Sequence, residues 1–405
     1  MHHLVIVGGG PIGSYLAGRV AEKGIPTLVL EEHQCIGKPV HCTGIVGSHG
    51  FEEYDLNRGA ILGELHQISM VSPSGERITY SQSKPLAYAV CRTQYDQYLA
   101  QKAMEKGAEY RLGKRVKALE QDEKGVTIFC SDGEKFKARL CVLATGALSN
   151  LPYHYGIGQP KRFMLAAQVL ARIPSISHTE VYVNQNFAPG FFAWAVPIGD
   201  GYCRVGLCSP QNSSSYLKKF LTWLGKTRKI DLEGRKPAFS RIPVGMCQKS
   251  YNKRIIALGD AASHVKPTTG GGLYYGMKCG DILAKYISPE ILESPVKENT
   301  FYFYEQEWKK SLGRELRTGY FFKELISLTD NQKLDKIIKE LKKKELYDKI
   351  FSFADFDYHS HMIWKIIGNL VLLRFMGGSF LKYSIHRFRE IWNNTTYTVD
   401  KSLKG

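Results

Sequence analysis

The chain has 405 residues, with 55 Lys and Arg against 38 Asp and Glu, a formal net charge of +17. Its 43% hydrophobic and 23% charged content excludes a disordered or fibrous chain and allows two or three lobes with their own cores. The positive excess favours phosphate-bearing partners, yet no RNA- or DNA-binding signature or internal repeat accompanies it, so nucleic acid is not expected. Nine cysteines in no CxxC or zinc spacing read as reduced thiols in a cytoplasmic protein. The first apolar run begins at once, so no secretory leader is expected.

Leu4-Val5-Ile6-Val7 reads as a buried parallel strand. Gly8, Gly10 and Gly13 follow in GxGxxG spacing and lead into the helical stretch "SYLAGRVAEKG", which stops at Gly24. Gly8 permits a tight turn, Gly10 lets backbone amides approach a pyrophosphate, and Gly13 lets the helix lie close on the strand. The next strand, "IPTLVLEE", ends at Glu31, whose carboxylate suits a ribose diol and repels a 2′-phosphate. Strand, helix, strand and terminal acid at this spacing define a dinucleotide site that NAD or FAD would satisfy.

Further along, Cys42 lies in the loop "KPVHCTGIVGS", and Arg92 stands at a strand-to-helix transition in "AVCRTQYDQYLAQKA". In "PGFFAWAVP", Phe192, Trp194 and Val196 alternate, so they face either a core or an apolar slot. "RIIALGDAA" is a second apolar strand ending in Gly-Asp, at Asp260, and Gly270, Gly271 and Gly272 then open the helix "LYYGMKCGDILAKYI". Gly272, Gly276 and Gly280 share one helical face that can press on a neighbouring element. Two glycine clusters at opposite ends of a chain suggest a long ligand touched at both ends.

After residue 290 the pattern is helical. "NQKLDKIIKELKKKELYDKI" reads as a solvated helix with Asp335–Lys339, Glu340–Lys344 and Glu345–Lys349 pairs. In "IWKIIGNLVLLRFMGG" only eight residues separate Lys365 from Arg374, where a bilayer span needs about 20. Leu381, Ile385, Phe388 and Trp392 share a helical face, with Lys382, His386, Arg387 and Arg389 around it. That pattern suits a helix resting on anionic headgroups and equally one closing a tunnel or core.

"GGGPIG" with Glu31, "VLATGA" at 142–147 and "GDAASHVKPTTGGG" resemble flavoproteins of the glutathione-reductase superclass, on the hydroxybenzoate-hydroxylase side. More narrowly, "KPTTGGGLYYGMKCG" and "PGFFAWAVP" resemble the geranylgeranyl reductase family, including its digeranylgeranylglycerophospholipid reductases, over about residues 4–320. The resemblance implies an α/β chain. A Rossmann-like FAD-binding domain would comprise 1–60, 89–160 and 250–290, an inserted antiparallel-sheet substrate domain 61–88 and 161–249, and a helical region 291–405. It implies FAD contacts from Gly8, Gly10, Gly13, Ser14 and Glu31, with Arg92 near the phosphates and Val116 beside the adenine. Cys42, Thr43, Ile45, Gly146 and Asp260 would follow the chain toward the ring, Asp260 on the ribityl group. Gly271, Gly272 and Leu273 would point a helix N-terminus at the flavin N1–C2=O edge, where reduced flavin carries negative charge.

For the substrate, the resemblance implies an isoprenoid slot at Pro189, Phe192, Trp194 and Pro197. Phe192 and Val196 replace the Tyr and Phe of the family's PxxYxWxFP pattern, so no role resting on that tyrosine hydroxyl carries over. Cys42 with Gly44 matches a cysteine beside the flavin and is the implied catalytic residue, tuning the flavin or donating a proton; an inert thiol fits the same residues. His41 and His264 fit a proton relay or plain local hydrogen bonding.

The implied reaction saturates C=C bonds of a geranylgeranyl or other polyprenyl group in a lipid, by hydride from reduced flavin N5 plus protonation. Only one full dinucleotide fingerprint is present, so electrons come from transiently bound NAD(P)H or from ferredoxin. A lipid substrate also implies peripheral membrane contact. The rival readings on this fold are a flavin monooxygenase or halogenase, an electron-transfer flavoprotein to quinone, and a flavin-bearing lipid-binding protein without turnover. Against the first, Thr145 stands where aromatic hydroxylases carry Asp, and "FAWAVP" supplies only one Trp of the halogenase WxWxIP.

Overall fold

The computed structural model describes residues 1–295, 297–370 and 372–384. Its first layer is an eight-stranded sheet in which His2–Val7 pairs in parallel with Thr27–Leu30 on one side and Lys135–Leu143 on the other. Covered on both faces, the first strand is a continuous apolar run rather than an alternating one. Leu4 and Ile6 face the helices Pro11–Ala21, Arg92–Glu105 and Leu273–Tyr286. Val5 and Val7 face the opposite core, built partly from the hairpin Val116–Gln121 and Val126–Cys130.

The late glycine helix presses on the first helix as its spacing predicts. A Cβ at Gly276 would lie 2.6 Å from Ile12 Cδ1, and one at Gly280 would lie 3.3 Å from Tyr15 Cδ1. Bare backbone on that face brings the two glycine clusters, far apart in sequence, to one end of the sheet.

A second sheet of seven strands runs in the order 238–244, 162–172, 202–209, 193–197, 179–182, 67–71 and 77–81. It is antiparallel as expected except where Thr179–Tyr182 meets Gln67–Val71 in parallel. Ala193 and Ala195 pack on the helix Ser213–Leu224, whereas Trp194 and Val196 face the other way. A three-stranded sheet, Ile45–Gly47, Ala87–Val90 and Ile61–Leu65, completes the strands.

The helix Tyr302–Ser327 spans both lobes: Tyr304, Trp308, Leu312 and Leu316 join the core of the first sheet, and Leu325 packs with the last helices. The stretch read as one solvated helix is two, Asn331–Leu341 and Lys344–Phe351. Leu334, Ile337, Ile338 and Leu341 are buried. Asp335 accepts from Ser74 N–H at 2.8 Å and from the Ser72 and Ser74 hydroxyls, while Glu340 pairs with Lys343 at 2.6 Å. Asp335 thus docks on the turn after Gln67–Val71 instead of lying on a solvated face, and the buried apolar face decides the packing. Ile385, Phe388 and Trp392, with His386, Arg387 and Arg389, lie outside the described residues. No single helix among the described residues is long and apolar enough to cross a membrane.

Candidate active site

A cavity of about 1300 Å³ runs from the first glycine turn to the C-terminal helices. That exceeds the usual pocket for one small ligand and leaves room for a cofactor and a chain. Most expected site residues line it. Gly13 and Ser14 lie behind the turn, and Pro189 and Pro197 flank the aromatic strand outside the lining.

At the first turn, backbone geometry dictates the residues. Gly8 has φ +107°, and a Cβ there would lie 2.4 Å from Ala144 O. A Cβ at Gly13 would lie 2.0 Å from Gly8 O. Gly10 is different: its Cβ would meet nothing within 4 Å, because it faces the open cavity at the start of the helix Pro11–Ala21. Ser14 is fully buried and donates to Gly9 O at 3.0 Å, which secures the turn from behind. Glu31 accepts from Gly9 N–H at 2.7 Å and from His33 N–H at 3.0 Å, so its carboxylate is fixed where the turn ends. His33 Nδ1 also donates to it at 2.6 Å, so of a carboxylate's about four acceptor directions one is left for a ribose hydroxyl.

Arg92 opens its helix and grips Asp96 through Nε at 3.0 Å and Nη2 at 2.9 Å. Burial works against its charge, and the Asp96 carboxylate more than restores it. This is a mostly buried, oriented cation rather than a surface cap. Val116 lines the cavity near Lys114 and Arg115.

At the second glycine cluster, Asp260 follows Gly259, which has φ +67°. Burial pushes the Asp260 carboxyl up to about 6, opposed by Arg92. A Cβ at Gly272 would lie 2.5 Å from Asp260 Oδ1, and one at Gly271 would lie 2.8 Å from Lys266 Cε. No side chain caps the helix that begins at Leu273. Its free first-turn N–H groups and Gly146, with open space at its Cβ position, complete a cradle that a side chain would fill. The donors, the carboxylates and the open glycines fit an extended dinucleotide such as FAD.

Cys42 is exposed, and Gly44 N–H donates to its Sγ at 3.3 Å. Arg204 donates to Val90 O at 2.9 Å and to Thr43 O, fastening this loop. His41 lines the cavity, but His264 does not. His264 is fully buried against Trp308, both ring nitrogens unpartnered among the described residues, and burial pushes its pKa down to about 3. It is a neutral core residue at pH 7.

Gln168 and Lys266 were not singled out by sequence. Gln168 Oε1 accepts from Thr43 Oγ1 at 2.6 Å and from Trp194 Nε1 at 3.3 Å, joining the Cys42 loop to the aromatic strand. A lone amide on the inner face of "RFMLAAQVLAR" was the available signal. Lys266 pairs with Asp357 at 2.8 Å, both side chains almost fully buried, and Thr268 bonds His359 at 2.6 Å. Beyond Phe192 and Trp194 the cavity turns apolar, floored by Ile68, Met70 and Val181 and roofed by Phe322, Ile338 and Met376. The described C-terminal helices therefore wall the cavity.

This Rossmann-like sheet with its glycine cradle and an inserted second sheet defines an FAD-dependent oxidoreductase. Residues 2–203 match the pyridine nucleotide-disulphide oxidoreductase family. A digeranylgeranylglycerophospholipid reductase of Methanocaldococcus jannaschii is 28% identical over 361 residues, covering 84% of this chain and 90% of the relative. A geranylgeranyl bacteriochlorophyll reductase-like protein of Thermoplasma acidophilum superposes with a TM-score of 0.80 at 22% identity, over 92% of this chain and 98% of that one. A flavin-dependent brominase shares the fold more distantly, with a TM-score of 0.66 at 16% identity, over 96% and 100% of the two chains.

Proposed function

We propose that this protein is an FAD-dependent reductase that saturates C=C bonds of a geranylgeranyl or other polyprenyl chain in a lipid. The observation that carries the reading is the continuity of one cavity, polar and glycine-lined at one end, apolar along the rest. An isoprenoid offers only apolar surface and π bonds, so shape and exclusion of water must position it. In this reading Gly8, Gly10, Glu31 and Arg92 hold the adenosine diphosphate half of FAD. Asp260, Gly146 and the Gly271–Leu273 helix start hold the ribityl and ring half. Bound FAD supplies hydride chemistry. Phe192 and Trp194 flank the chain, and Gln168 fixes Trp194. Cys42 lies at the mouth of this end.

The organisation that goes with it is a discontinuous FAD domain, a substrate sheet and a helical C-terminal region. The lipid would be met in the cytoplasm at a membrane surface, where exposed Trp364, Leu370 and Leu381 stand beside Lys365, Arg374 and Lys382. The halogenase alternative draws support from fold likeness alone. The test is anaerobic reduction of the holoenzyme followed by addition of a geranylgeranyl glycerol lipid. Reoxidised flavin with saturated lipid by mass spectrometry supports the reading; flavin that stays reduced beside unchanged lipid overturns it.

A further inference from the structure

Saturating an isolated alkene needs a proton as well as hydride, and the cavity is mostly apolar. Two buried lysines line it, Lys266 and Lys323. Lys266 is committed: its ammonium donates to Asp357 at 2.8 Å and to Phe356 O at 2.9 Å. Lys323 has a single partner among the described residues, Glu324 at 3.1 Å, which leaves N–H groups for a substrate.

Its position follows from the helix Tyr302–Ser327. Gly319, Lys323 and Ser327 are spaced i, i+4, i+8 and share one face. At one end of that face, a Cβ on Gly319 would lie 3.2 Å from Pro267 Cδ and 3.4 Å from Thr268 Cγ2, on the late glycine loop. At the other, Ser327 Cβ would lie 3.5 Å from a Cβ on Gly190, just before Phe191 and Phe192. Lys323 thus stands between the flavin loop and the aromatic strand, where a chain entering the slot would meet the cofactor end.

We propose that the Lys323 ammonium donates the proton that completes saturation of the substrate double bond. The π bond breaks and two C–H bonds form. One takes hydride, with its electron pair, from reduced flavin; the other takes the proton from Nζ, leaving a neutral amine. Solvent returns a proton by way of Glu324, whose ion-pair partner Arg162, at 3.2 Å, is 40% exposed. Burial lowers the Lys323 pKa, with Glu324 opposing and Arg162 assisting, which makes the ammonium a stronger acid than a surface lysine. Lys161 at the same strand end, Tyr320 one turn before Glu324, and Lys266, Asp357 and His359 around the glycine loop are charged or titratable groups nearby.

This inference rests on the reductase reading, and its test separates the two. Dithionite-reduced holoenzyme is mixed anaerobically with a geranylgeranyl glycerol ether lipid in detergent. Flavin reoxidation and saturated product are followed from about pH 6 to 10, a range that lies below the ordinary lysine pKa and so reads a lowered one. FAD content and flavin midpoint potential are measured in parallel. The wild-type rate falls as pH rises through the lowered lysine pKa. Lys323→Met slows the step by about 100-fold, with FAD content and potential unchanged. Lys323→Arg, which keeps the charge but does not release a proton, is as slow. Should Lys323→Met not retain FAD, Lys323→Gln is read in its place. Recovery of rate in Lys323→Arg, or a wild-type rate and pH profile in Lys323→Met, overturns the inference alone. Wild-type enzyme that leaves the lipid unsaturated overturns the reductase reading and the inference with it.

Discussion

The two ends of the cavity are specified in different ways. At the cofactor end the backbone itself sets the limits: added Cβ atoms would approach carbonyl oxygens to 2.0 Å at Gly13 and 2.4 Å at Gly8. At the apolar end the walls are side chains from strands near residues 68 and 181 and from five helical segments among the described residues of the C-terminal region. Any of several apolar residues could serve there. Backbone constraints leave a fixed spacing in sequence, whereas apolar walls assembled from distant segments leave only hydrophobicity.

The sharpest way to break the contrast is at the buried Lys266–Asp357 ion pair beside the cavity. Lys266→Met strands the Asp357 carboxylate and is expected to lower stability by about 3–5 kcal/mol, read by denaturant unfolding. The double variant with Asp357→Leu recovers part of that loss. Next, Gly13→Ala forces a methyl against Gly8 O and should cost about 3 kcal/mol of overpacking, seen as purified protein with little flavin absorbance.

Ile338→Ala in the apolar wall should cost about 2 kcal/mol in thermal or denaturant unfolding. It should leave flavin content intact, which separates wall from cradle. The last effect is electrostatic and depends on pH. Asp260 has its folded pKa raised from 3.8 to about 6, so folded protein without FAD binds that proton more tightly than the unfolded chain. The resulting stabilisation is present below the unfolded value and disappears as pH rises through about 6. Thermal midpoints of the FAD-free protein measured across that window should lose this slope in Asp260→Asn.

These effects also explain what was legible in the sequence. The strand–glycine–helix–acid spacing and the late glycine face follow from steric rules, and both stand where the sequence places them. Gln168 and Lys323 carry no such spacing; each is a polar residue whose neighbours come from other parts of the chain. The run from Asn331 misled because its charges were counted and its apolar positions, Leu334, Ile337, Ile338 and Leu341, were not. Pro189 and Pro197 bracket the aromatic strand and shape its ends without lining the cavity.

One consequence lies in the long helix Tyr302–Ser327. Its first turns plug the nucleotide lobe with Trp308 and Leu312, while its last turns carry Phe322 and Lys323 over the slot. A protein cut at residue 300 would have an unfilled socket behind its own nucleotide fold. The tail is therefore no detachable accessory, and new substrate preferences must be evolved by repainting this shared spar rather than by swapping a module.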